Sequence, residues 1–317
     1  MSALQSYTLP RASRRTMLAA ATAGVGAWFQ APGTAFAQAV PAGTPDGART
    51  ASTPAGNGAR WVESNGTSLR CEFTGAQGPV VVLIHEMTSA LETWDEVLPA
   101  LSTGRRVLRY DFRGAGLSGR VRGTVTYEDH AADLRGLLDA LQLKEPIVLV
   151  GSAMGACIAS HFAAASPERV KALALLSPAI GLDPRPGFLS IVRKIEEVGL
   201  ATYMQQWNED IYPKSIRTAE RWERYRGMER ACDQESVLAL LRMLAATGSR
   251  EVLPRIKCPT LVVHTSLWPR PEADIRQIAQ LIPSSHFEVV RAGHYSPLES
   301  PEAILPGLLR FLGRTAG

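Results

Sequence analysis

The segment Pro146-Ile-Val-Leu-Val-Gly-Ser-Ala-Met-Gly155 reads as a buried strand delivered into a sharp turn. Ile147 to Val150 is an unbroken aliphatic run, the pattern of a strand covered on both faces. From Ala156 the chain continues as Cys-Ile-Ala-Ser-His-Phe-Ala-Ala-Ala, a small-residue run of helical character. Strand, Gly-x-x-x-Gly turn and helix together make the layout of a nucleophile elbow. Gly151 and Gly155 belong there, because a helix leaving a strand this abruptly leaves no room for side chains at its closest approaches. The exposed tip of such a turn carries the nucleophile, and in this register the tip is Ala153, whose methyl group attacks nothing. Ser152 is adjacent, but one residue along a sharp turn aims a side chain elsewhere. Its two readings are a displaced nucleophile and a small polar residue bonded to nearby backbone.

Working outward, the same alternation repeats. Val80–His85, Arg106–Asp111, Val170–Ser177, Thr260–His264 and Phe287–Val290 are further strand candidates. Helical spacing lies between them at Leu91–Leu101 and Tyr127–Leu141. Alternating strands and helices predict a mostly parallel sheet covered on both faces. A hairpin precedes it, with Asn65-Gly66 turning between Trp61–Ser64 and Ser68–Phe73. Residues 182–251 break the alternation. They offer no convincing strand and are rich in Trp, Tyr, Met, Arg and Glu, so they read as a helical cap inserted between core segments 59–181 and 252–317. Trp207, Trp222, Tyr203 and Met204 fit cap core or pocket lining.

The start of the chain has another purpose. Ser13-Arg14-Arg15-Thr16-Met17-Leu18 precedes a short Ala/Gly/Val-rich stretch and Ala35-Phe36-Ala37. Residues 1–37 therefore read as a twin-arginine export signal with an A-x-A cleavage site, implying a periplasmic or secreted protein. The apolar stretch is too short for a permanent membrane anchor to be favoured. Residues 38–58 read as a flexible tether. The formal charge is +4, and the signal holds three arginines and no acid, so the rest carries 4 − 3 = +1. That small excess argues against nucleic acid as partner. The four cysteines are widely spread with no metal spacing, and buried free thiols are expected. No dinucleotide, Walker or zinc motif is present, so no cofactor is implied.

Across residues 60–317 the chain resembles the α/β-hydrolases with a helical cap, closest to the 3-oxoadipate enol-lactonase and small-ester or lactone esterase group. The resemblance rests on Leu83-Ile-His-Glu-Met87 with Trp94, Tyr110–Ser118, Gly151–Gly155, and Ala292-Gly-His294 with Pro301-Glu302. It implies His294 as general base, a role suited to imidazole. It implies Met87 and Met154 N–H groups as oxyanion donors, and a structural Asp111 turn. Three departures accompany it. Ala153 replaces the serine. Trp268 stands where the acid is expected, with Asp183, Glu272 and Asp274 out of register as substitutes. Glu86 replaces the glycine after His85, facing either the pocket or solvent. The arginines Arg217, Arg221, Arg224, Arg226 and Arg230 suggest a carboxylate-bearing ligand or a solvated helix face. The expectation is a small-molecule hydrolase relative without acyl-enzyme chemistry. A ligand-binding protein that has lost catalysis and a His-based lyase or isomerase are the alternatives.

Overall fold

Eight strands form one sheet in this computed structural model, which describes residues 58–315. The signal at 1–37 and nearly all of the tether at 38–58 lie outside the described residues. The strands are β1 Arg60–Ser64, β2 Thr67–Thr74, β3 Val80–Ile84, β4 Arg106–Tyr110, β5 Ile147–Ser152, β6 Val170–Leu176, β7 Thr260–Thr265 and β8 Ser285–Val290. Their order is β1-β2-β4-β3-β5-β6-β7-β8. From β3 to β8 the pairings are parallel, while β1–β2 and β2–β4 are antiparallel. Asn65 and Gly66 both take positive φ, 48° and 72°, as the expected two-residue hairpin requires.

The helices are α1 Leu98–Leu101, α2 Tyr127–Ala140, α3 Met154–Ala165, α4 Phe188–Val198, α5 Leu200–Ile211, α6 Ala219–Arg230, α7 Gln234–Ala246, α8 Glu272–Leu281, α9 Ser296–Glu299 and α10 Pro301–Thr315. One face of the sheet packs Leu108, Leu149 and Leu173 against α2, α3 and α8. The other packs Val148, Val150 and Leu261 against Trp94, Leu101 and α10. Central strands are thus buried on both sides, which is why they read as continuous aliphatic runs.

The helix expected over Leu91–Leu101 is replaced by a short 3₁₀ turn, Leu91–Trp94, and the single turn α1. Pro99 has no N–H for a continuing helix, and the Leu91 N–H is taken by Asp111 Oδ1 at 2.7 Å. Helices α4 to α7 lie between β6 and β7, where no strand was expected. They enclose an apolar cluster with Tyr203, Met204, Val237 and Leu241, on which Trp207 packs. A second cluster joins Tyr212 and Tyr225 to Tyr295 and Leu298, with Trp222 at its edge. No helix among the described residues is long and apolar enough to cross a membrane. All four cysteines are free thiols.

Candidate active site

The turn after β5 has the sharp strand-to-helix geometry of an elbow, with Ala153 at its tip. Ala153 sits at φ 48°, ψ −108° and is 2% exposed. A side chain at positive φ costs about 1 kcal/mol, so the surroundings impose this conformation. The Ala153 N–H donates to Leu176 O at 2.9 Å, and its carbonyl accepts from Ala156 and Ala179 N–H at 3.2 Å. A Cβ on Gly151 would lie 2.4 Å from Gly155 O, and one on Gly155 2.2 Å from Ile84 O. Both glycines are required by close backbone approach.

Ser152 ends β5 fully buried, paired to Leu176, and its Oγ has no hydrogen-bond partner. It is neither presented at the turn nor bonded to backbone, so the structure corrects the expected backbone hydrogen bond. Its side chain belongs to the strand and faces packed interior. Met154 is the first residue of α3, where an N–H has no intrahelical acceptor. The Met87 N–H likewise donates to no other group among the described residues. The Met87 side chain packs against both the sheet core and the α4–α7 cluster.

His294 follows β8. Its Nδ1 is buried with no hydrogen-bond partner, and Trp268 stacks on the ring with centroids 4.2 Å apart and planes at 27°. Tyr295 flanks it at 5.2 Å. Arg270, two residues beyond Trp268, is buried and donates to Pro178 O (2.8 Å) and Ile180 O (2.6 Å). Burial of the ring, reinforced by the Arg270 cation, pushes the His294 pKa down to about 3. The acid position thus holds an aromatic face and a nearby positive charge. No carboxylate makes a hydrogen bond or ion pair with the imidazole among the described residues. Asp183 is exposed and paired with Arg250 at 2.6 Å. Glu272 pairs with Arg276 within α8, and Asp274 is 3.8 Å from Arg270. None of the three substitutes for the missing acid.

Glu86 is 1% exposed, which overturns its solvent-facing alternative. Its Oε1 accepts from Thr93 Oγ1 at 3.0 Å, while Oε2 is buried and unpartnered. Burial raises its pKa. Behind it, His85 bonds the Glu86 carbonyl through Nδ1 (2.7 Å) and approaches Asp111 through Nε2 at 3.4 Å. Asp111 also accepts from Leu91 and Leu117 N–H, fixing the turn that carries Gly116. Its role is structural.

Sequence reasoning missed Glu299, on α9. It is fully buried, both carboxyl oxygens lack partners, and burial raises its pKa well above the ordinary value. A Cβ on Gly293 would meet Glu299 Oε2 at 1.8 Å, so the glycine before His294 makes room for this carboxyl. The only signal was an acid directly after Pro297-Leu298. The α6 arginines join the protein's own carboxylates. Arg221 and Arg224 meet Glu96, Arg226 meets Glu229, and Arg230 approaches Glu223. Arg217 lies over Trp222, 3.8 Å from the ring centroid. The α6 arginines thus meet protein carboxylates, a pairing that neither expected reading named.

The sheet order, the elbow and the loop histidine define the class, and the sequence profile of the α/β-hydrolase fold matches residues 79–301. The chain belongs to the α/β-hydrolase fold family. Among curated relatives, 3-oxoadipate enol-lactonase 1 of Acinetobacter baylyi is 26% identical over 254 residues, covering 76% of this chain and 91% of the relative. A putative non-heme chloroperoxidase of Synechocystis is 28% identical, covering 76% and 93%. The enol-lactonase structure from Burkholderia xenovorans superposes with TM-score 0.72 at 27% identity, covering 80% of this chain and all of that one. A thermophilic esterase from Thermogutta terrifontis gives TM-score 0.73 at 26% identity, covering 82% and 100%.

Proposed function

We propose that this protein acts on a small ester- or lactone-class molecule held between the elbow and helices α4–α7, without forming an acyl-enzyme. Core segments 59–181 and 252–317 carry the residues, and the insert 182–251 closes over them. The observation that carries the reading is Ala153 in strained elbow geometry, since the fold still supports a turn whose purpose is to present a nucleophile. Similarity to an enol-lactonase and an esterase supports the ligand class.

His294 is the base in this reading. With its pKa near 3 it is neutral at any physiological pH and free to accept a proton. A water O–H bond breaks toward the imidazole while the water oxygen attacks the carbonyl carbon, and Met87 and Met154 N–H groups receive the charge on the carbonyl oxygen. So weak a base is a poor one, and about 10- to 100-fold of rate is forgone by Brønsted behaviour. The unpartnered Nδ1 specifically favours the second reading, ligand binding without turnover. The α6 arginines are occupied by protein carboxylates, so a neutral ligand suits the site.

A panel of small esters and lactones, assayed on mature protein beside His294→Ala, tests the proposal. Turnover abolished by His294→Ala is expected, and turnover indifferent to it overturns the role. A fluorophosphonate probe should leave the protein unlabelled, and labelling at Ser152 would restore a serine mechanism. Export is part of the same proposal. Changing Arg14 and Arg15 to Lys should retain unprocessed chain in the cytoplasm, and normal export of that variant sinks the twin-arginine reading.

A further inference from the structure

Glu86 and Glu299 are two buried carboxyls that the water-activation scheme leaves unused. Glu86 lies beside the elbow. Ile84 pairs with Gly151 across β3 and β5, and a Cβ on Gly155 would come 2.6 Å from His85 O. Glu86 also interacts electrostatically with Tyr295, the neighbour of His294, and with Glu299. Three carboxyl oxygens of the pair, Glu86 Oε2 and both oxygens of Glu299, are buried with no hydrogen-bond partner, and so is the Tyr212 hydroxyl. The charged and titratable groups acting on the pair are His85, Cys232 and Tyr295 for Glu86, and Tyr212, Tyr295 and Arg217 for Glu299. Burial of each carboxyl is the largest influence and favours the proton; His85 and hydrogen bonds from Ser89 and Thr93 at Glu86, and the Tyr295 N–H and Arg217 at Glu299, act against it. A carboxyl that keeps its proton has an O–H to give, and a buried donor needs an acceptor.

We propose that Glu86, with Glu299 as its partner carboxyl, is a protonated hydrogen-bond donor for the carbonyl oxygen of the small ester- or lactone-class ligand. This rests on the proposed function and changes its electrostatics. The glycine expected after His85 has become a neutral acid that adds a third donor to the Met87 and Met154 amides. The anion that would oppose an oxyanion is absent from the site in this state. No bond breaks in the step. The O–H of Glu86 points at the carbonyl oxygen and strengthens as charge develops there. A carboxylic acid held neutral in an apolar site and donating to an oxyanion has precedent in ketosteroid isomerase.

Infrared difference spectroscopy on the full mature protein tests this without requiring turnover. The parent at pH 7 should show a carboxylic-acid C=O band that disappears in Glu86→Gln. Glu299→Gln should lower the pH at which the band is lost, because the repelling neighbour is gone. The probe ligand is δ-valerolactone. Its carbonyl stretch should shift to lower frequency when bound to the parent, shift in Glu86→Gln, whose amide also donates, and remain near its solution value in Glu86→Leu. Absence of an acid band assignable to Glu86 overturns the proposal, as does a bound-lactone shift identical in parent and Glu86→Leu. A lactone that does not bind, with the acid band intact, overturns instead the ligand class on which the inference rests. Stability offers a check that survives a misfolded Leu variant. A carboxyl whose folded pKa is raised loses stability as pH climbs from its ordinary value, so Glu86→Gln should out-stabilise the parent increasingly from pH 5 to 9. A constant difference over that range counts against a protonated Glu86.

Discussion

The elbow after β5 and the loops that face it have diverged in opposite ways. At the elbow the backbone holds the sharp turn, and its tip carries only the methyl group of Ala153. Ala153 keeps a positive φ because Gly151 and Gly155 admit the neighbouring backbone and Leu176 holds its N–H. Across the site His294 keeps its side chain, but the surroundings have changed sign, with Trp268 against the ring and Arg270 nearby. Geometry set by many packed contacts outlasts the residue it served, whereas electrostatics set by one carboxylate vanish with it.

The comparison breaks most visibly at Gly155. Gly155→Ala places a methyl 2.2 Å from Ile84 O, a backbone atom that cannot move aside. We expect a loss of about 3 kcal/mol or more, read as a lowered denaturation midpoint at unchanged m-value. A neutral outcome would mean the elbow is not set by close packing.

The next largest effect concerns restored chemistry. Ala153→Ser should raise hydrolysis of an activated aryl ester about 10- to 100-fold over the parent. Trp268→Asp added to it should raise the rate further, and more than additively, since a carboxylate would orient the ring and stabilise its cation. His294→Ala in the double variant should erase the gain. A double variant no faster than the parent would favour the binding-only reading.

A smaller effect is expected in acid. His294 and His130 have folded pKa values near 3 and His161 near 4, below the ordinary 6.5. The unfolded chain therefore binds more protons, and stability present above pH 6.5 is lost as pH falls toward 4. Each histidine contributes at most about 1.4 kcal/mol per pH unit in that window. His294→Gln should make the acid limb of a Tm-against-pH curve shallower, and an unchanged limb would mean the imidazole is not held neutral. Least of all, Ala153→Gly should stabilise by under about 1 kcal/mol, because relief of positive φ is partly offset by the freer unfolded chain.

The parallel sheet, the hairpin and the elbow were legible because each rests on a local pattern, whether an aliphatic run, Asn65-Gly66 or the two spaced glycines. The helix expected at Leu91–Leu101 was misread through its apolar spacing when Pro99 was the stronger fact. The expectation that Ala153 and Trp268 stand at the nucleophile and acid positions rests on sequence register alone. Their surroundings were not legible in it. Stacking of Trp268 on His294 and the approach of Arg270 depend on how the loops after the paired strands β7 and β8 meet. Glu299 carries no motif in the sequence, and only the fold buries it beside Gly293. Ser152 shows the converse, a conspicuous residue in sequence that the strand turns inward.

The four thiols carry a consequence for where this chain can mature. Cys71, Cys157 and Cys258 are buried, and burial pushes the Cys157 and Cys232 thiols up to about 11 and about 12. Thiolate is the species that attacks disulfides, so these groups are slow partners for exchange once the chain has folded. With all four thiols free, the fold of the described residues contains no disulfide to form or rearrange. Its sulfur chemistry would be the same on either side of a membrane, and a fold finished in a reducing compartment would meet an oxidising one with nothing left to rearrange.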